Sequence, residues 1–298
     1  MKKILLISAI ILLYGLHGFG QTKFSTEPDS SVFLTKDIDN FWRAFDDFKK
    51  DTTRNAFGPE YVDIGSQGVK GFTPYRIQNA DHLFKTVKKK EADYVKVRDN
   101  TLKIKTKEKQ CRSTFYALKY WYPQAEFPPV YFVIGAFNSG GTSGDSGLYI
   151  GAEKLDNIDG IPYLVAHELI HFQQKNWPQK PTLLEQSIKE GSADFIGELI
   201  SGVNLNKAAN DYGNKNTDRL CKEFVTVMDS TKDIDWLYGV SGKDDRPNDL
   251  GYWMGYKIVE QYFIKAPDKK KAIYEILNIK NFKDFLDKSG YLNAYLKQ

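Results

Sequence analysis

The 298-residue chain is 41% hydrophobic and 27% charged, which excludes disordered and fibrous classes and allows one large domain or two lobes. Its formal net charge is +4, and losing Lys2 and Lys3 with a cleaved leader leaves 40 Lys+Arg against 38 Asp+Glu. So even a balance provides no basic field for nucleic acid, and none is expected as a partner.

Residues 1–20 have the pattern of a signal peptide. Lys2 and Lys3 precede an apolar run from Ile4 to Leu16, and Gly18-Phe19-Gly20 offers small residues before a cut ahead of Gln21. The run is too short for a membrane span, so export is expected, to the periplasm or beyond, with no stable span after cleavage. In an exported chain Cys111 and Cys221 can form a disulfide; otherwise they are two small buried residues.

Phe41, Phe45 and Phe48 recur at helical spacing within Asp37 to Lys50, and helical patterns also fit 79–96 and 108–121. Pro123, Pro128 and Pro129 then interrupt the chain. Val130 to Ile134 is a β-branched and aromatic run that predicts a buried strand, and Leu148 to Gly151 predicts a second. Between them, the Gly- and Ser-rich stretch from Asn138 to Gly147 lacks the Lys-Ser/Thr ending of a phosphate loop. It is either a flexible connection or the rim of a cleft. Beyond residue 151 the pattern is helical nearly to the end, with breaks near 176–181, 203–206 and 240–248. A small sheet followed by a helical half is an α+β chain.

The chemistry concentrates in His167-Glu168-Leu169-Ile170-His171. Two histidines four apart share one helix face, so both imidazoles can reach one zinc, and the intervening glutamate can act on a water there. Chance produces this pattern in about two of a thousand chains of this composition. From Ile161 to Phe172 the motif supplies every ionisable group except one Tyr hydroxyl. A helix this apolar is buried, and two histidines with a carboxylate inside it need a partner such as a metal.

A catalytic zinc takes three protein ligands. His82 is the only other histidine past the leader, and it lies far upstream on a Lys-rich helix, so a downstream carboxylate is expected. Glu185, Glu190 and Glu198 compete. Thr182 to Glu185 fits a capping box, which occupies Glu185 at a helix start. Glu190 shares its face with Ala193, Asp194 and Gly197; with Gly191 and Ser192, these small residues let its helix approach the first. Asp194 can orient a zinc-bound histidine. The expected set is one Zn2+ per chain on His167, His171 and Glu190, with Asp194 behind it.

His167-Glu168-x-x-His171, eighteen residues, then Glu190-Gly191-Ser192-Ala193-Asp194 resembles the gluzincin group of zinc metallopeptidases. More narrowly, the chain resembles a family of secreted bacterial proteins known only as predicted zinc-dependent proteases, and it is similar to the gliding-motility lipoprotein B group. Val133 to Gly135, Gly140 to Thr142 and Gly251 to Tyr256 add weaker support, so the likeness covers roughly 130–260. The resemblance implies a zincin-like fold over 21–298, with a lobe of about 21–176 holding a small mixed sheet, a helical lobe of about 177–298, and zinc in the cleft between. It also implies a peptide or protein substrate, with Glu168 as general base, and pairing of the substrate with Gly147 to Gly151 as an edge strand. Such enzymes add an oxyanion donor; Tyr252 and Tyr256, four apart and able to face the cleft together, are the candidates, and Arg246 is a weaker candidate for a substrate carboxylate. Two rivals remain: an envelope binding protein that kept the fold without turnover, and a zinc hydrolase of a non-peptide amide.

Overall fold

Phe41, Phe45 and Phe48 bury one face of the helix α1 (Lys36–Lys50), where Phe41 meets Trp42, Phe57, Tyr61 and Tyr94 in an aromatic core. The computed structural model describes residues 24–155, 157–232, 235–238 and 246–296; the expected leader lies outside them. A two-residue strand β1 (Phe33–Leu34) precedes α1, and α2 (Gln67–Phe72), α3 (Ala80–Lys89), α4 (Glu91–Leu102) and α5 (Glu108–Trp121) follow. Then come β2 (Val130–Val133), β3 (Gly141–Gly144) and β4 (Gly147–Gly151). The rest is helical: α6 (Ile161–Gln173), α7 (Leu183–Ser201), α8 (Lys207–Lys215), α9 (Thr217–Val227), α10 (Leu250–Lys265), α11 (Lys269–Leu277) and α12 (Phe282–Ser289). The architecture is therefore α+β, as expected, with the small sheet ahead of the second helical half. Cys111 and Cys221 are both buried free thiols.

The sheet order is β1-β2-β4-β3, with β1 and β4 parallel to β2 and β3 antiparallel to β4. This corrects the expected edge strand. Gly147 to Gly151 lies inside the sheet, with Tyr149 opposite Tyr131 on one side and Thr142 on the other. The edge is β3, inside the stretch read as a loop. The reason is physical: Leu148, Tyr149 and Ile150 are apolar on both faces and fully covered, as an inner strand requires. Gly-Thr-Ser-Gly buries little and suits an edge.

Behind the sheet, Glu153 is buried, with Oε1 accepting the Phe137 N–H at 3.2 Å and Oε2 lacking a hydrogen-bond partner. It steadies Phe137, whose φ is +60°. Burial pushes its carboxyl up to about 7, outweighing the backbone N–H groups that favour the anion. A carboxyl with a raised folded pKa binds its proton more tightly than the unfolded chain does, so its contribution to stability is present at low pH and is lost as pH rises through about 7. Glu153→Gln should therefore gain stability over the native chain between pH 5 and pH 8, by up to about 3 kcal/mol. Urea unfolding of both proteins at the two pH values measures this; a difference that does not change with pH contradicts it.

Candidate metal centre

α6 begins with Pro162 in its first turn and buries Val165, Ala166, Leu169 and Ile170. That burial fixes its rotation and turns His167, Glu168 and His171 toward a cavity of about 830 Å³. α7 starts at the expected capping box: Thr182 Oγ1 accepts from the Glu185 N–H while Glu185 accepts from the Thr182 N–H. Glu185 is thus spent on the helix start, and Glu190, one and a half turns on, reaches the histidines.

His171 Nε2 lies 3.0 Å from both His167 Nε2 and Glu190 Oε2, and His167 Nε2 lies 3.6 Å from Glu190 Oε2. Ligand atoms around a tetrahedral zinc, with bonds of about 2.0–2.1 Å, stand about 3.3 Å apart, so the triangle has the size zinc needs. All three atoms can serve one metal ion.

The second ring nitrogens support the same arrangement. His171 Nδ1 is 2.8 Å from Gln174 Oε1, and the Gln174 amide is oriented because its Nε2 donates to the Lys189 carbonyl at 2.9 Å. His167 Nδ1 is 2.9 Å from Asp194 Oδ1, although its N–H is not aimed directly at that oxygen. With acceptors at both Nδ1 atoms, the network assigns the protons there and leaves both Nε2 lone pairs inward. Asp194 is itself held, accepting from Tyr163 Oη at 2.7 Å and Asn206 Nδ2 at 3.0 Å. Glu190 Oε1, turned away from the triangle, accepts from Gln186 at 2.8 Å and Tyr238 at 3.1 Å.

Burial alone would lower the His167 pKa, but without a metal Asp194 and Glu190 hold it well above the usual imidazole value, so metal binding must release the Nε2 proton to free that lone pair. Burial would raise Glu190, but His171 and His167 hold its carboxyl well below the carboxylate range. Glu190 therefore stays ionised in a buried nitrogen-and-oxygen donor set, chemistry that fits Zn2+. Asp194→Asn should weaken zinc binding by about 10–100-fold. Competition with a zinc-chelating dye measures this; unchanged affinity contradicts it.

Glu168 stands outside the triangle and lines the cavity. Burial raises its pKa, opposed by the charges of His167 and His171. β3 lies directly against it: a Cβ on Gly141 would come within 2.6 Å of Glu168 Cγ and Oε1, so only glycine lets the edge strand lie this close.

The remaining candidates divide. Tyr252 lines the cavity, its ring nearly parallel to His167 at 6.3 Å. Tyr256 does not: it packs on Phe195 and lines a separate polar pocket with Glu198. α10 crosses α7 too closely for both tyrosines to share the cleft. Arg246 is also elsewhere, pairing with Glu223 at 2.7 Å and stacking on Trp236. His82 Nδ1 meets the Ile77 carbonyl at 2.9 Å outside the cavity, a satisfied histidine as expected. Sequence reasoning missed Tyr238, Gln174, Gln186, Tyr163 and Asn206. Gln174, three residues past His171, and Gln186, four residues before Glu190 on α7, had local signals.

The family model described as "Predicted Zn-dependent protease (DUF2268)" matches residues 133–284, half of the chain, from the end of β2 into α12. No curated protein and no solved structure matches.

Proposed function

Because the chain belongs to this family of predicted Zn-dependent proteases, we propose that it is an exported zinc metallopeptidase of the gluzincin type, with a zincin-like fold over 21–298, akin to the gliding-motility lipoprotein B group. The observation that carries the reading is the convergence of His167, His171 and Glu190 from two helices, with Glu168 beside them in one cleft. Among the described residues no helix is long and apolar enough to cross a membrane.

The residues that hold the metal are His167, His171 and Glu190, with Asp194 and Gln174 fixing the two imidazoles. Zinc bound there supplies Lewis-acid polarisation of a carbonyl and a more acidic water. Glu168 accepts the proton of the attacking water and passes it to the leaving amide nitrogen. The free edge of β3, from Gly141 to Gly144, aligns the peptide backbone across the cleft by strand addition. Tyr252 remains the oxyanion candidate, and Tyr238, whose ring is 6.3 Å from that of Tyr252, joins it. Burial holds the Tyr252 phenol well above its ordinary value, so it stays a protonated donor at neutral pH; Tyr238 is largely exposed, and its hydroxyl must turn from Glu190 to serve the oxyanion.

A peptide-library cleavage profile tests the function: zinc-loaded protein should cleave, and chelation should abolish cleavage. One zinc per chain without cleavage of any peptide favours the rival readings. Within that assay, Tyr252→Phe or Tyr238→Phe should lower kcat about 10²–10³-fold with little change in KM, whereas Tyr256→Phe should not. Loss with Tyr256→Phe alone reverses the assignment.

A further inference from the structure

Three cations line the cleft without an ion-pair partner among the described residues. Arg76, Lys154 and Lys189 line the same cavity as His167, Glu168 and His171. Among the described residues none of the three forms an ion pair; Lys189 only lies over the Trp177 ring at 5.1 Å. Elsewhere cations find carboxylates, as Arg98 does with Asp46 and Arg112 with Glu108. The acids that line the cavity, apart from Glu168 and Glu190, are Asp194, engaged by Tyr163 and Asn206, and Asp249.

Arg76 is the best placed. It belongs to the single turn Thr73–Ile77, and its carbonyl accepts from Asn138 Nδ2 at 2.9 Å. That bond ties it to the segment leading into β3, along which the peptide would run. A guanidinium offers a planar fork of donors matched to a carboxylate.

We propose that Arg76 receives a carboxylate of the peptide substrate, making the cleft selective for acidic peptides; this rests on the peptidase reading above. The carboxylate comes from an Asp or Glu side chain near the scissile bond or from the peptide's own C-terminus. Lys189 extends the attracting field, while the charge of Lys154 is shared with Glu153 and Asp249.

The test uses zinc-loaded Glu168→Gln protein and fluorescent peptides matched except for Glu, Gln or Lys at one position, each as a C-terminal acid and amide. The acidic peptide should bind about tenfold more tightly than its Gln counterpart. The preference should shrink at high salt and vanish in the Arg76→Gln background. A preference that follows Glu even in the amides assigns a side chain; one that follows the free acid assigns the C-terminus, and either supports the proposal. Equal binding of all peptides overturns it, and so does an Arg76→Gln loss that is the same for acidic and neutral peptides, which would leave Arg76 only a part in shaping the cleft. If wild-type protein cleaves these peptides without preference, the peptidase reading survives alone. If nothing binds and nothing is cleaved, both readings fall.

Discussion

Replacing Glu168 by Gln is expected to lower kcat for peptide cleavage about 10²–10⁴-fold while the protein still binds one zinc per chain. The side chain is nearly isosteric, and it is not one of the atoms that converge between α6 and α7. It lines the cleft beside them and contacts Gly141 of the edge strand. The substitution removes the proton acceptor and leaves the ligand triangle, Asp194 and Gln174 in place. Metal analysis and peptide turnover on the same preparation measure it. Loss of zinc from Glu168→Gln, or retained turnover, contradicts the assignment.

Gly255→Ala should destabilise the fold by about 3 kcal/mol or more, and zinc affinity should fall with it. A Cβ at Gly255 would lie 1.7 Å from the Ser187 carbonyl oxygen, and one at Gly191 would lie 2.1 Å from the Gly255–Tyr256 backbone. These are backbone contacts, so no rotamer change relieves them; α10 must move away from α7. α7 carries Glu190 and Asp194, and α10 carries Tyr252. Gly202→Ala serves as comparator: φ is +74° but nothing lies within 4 Å of the added atom, so its cost is the smaller one of a left-handed non-glycine residue, about 1 kcal/mol. Equal melting temperatures for Gly255→Ala and the native protein contradict the close crossing.

Those glycines also show where reading the sequence went partly astray. Gly191 was expected to let α7 approach α6. It instead meets α10, while Asp194 and Gly197 face His167 as the shared face suggested. A small residue signals close approach without identifying the neighbour. The ligand geometry was legible because it is local: His167 and His171 are one turn apart, Thr182 and Glu185 close a capping box, and scarcity of histidine leaves a carboxylate.

What was not legible depends on elements distant in the chain. Tyr238 reaches Glu190, and Tyr163 and Asn206 reach Asp194, only once the chain packs, whereas Gln186 meets Glu190 within one turn of α7. β3 was hidden because an edge strand of Gly, Thr and Ser buries too little to show a β pattern. β4 was mistaken for the edge although its unbroken apolar run was itself the mark of an interior strand. Tyr256 shares the spacing of Tyr252 but lies beyond the α7–α10 crossing.

The central claim is that one zinc is held across two helices by His167, His171 and Glu190. Zinc titration of metal-free protein, native and Glu190→Gln, tests it most directly. One site per native chain, with affinity falling at least about tenfold in Glu190→Gln, is the predicted result. No zinc bound by the native chain, or the same affinity in both proteins, would contradict it.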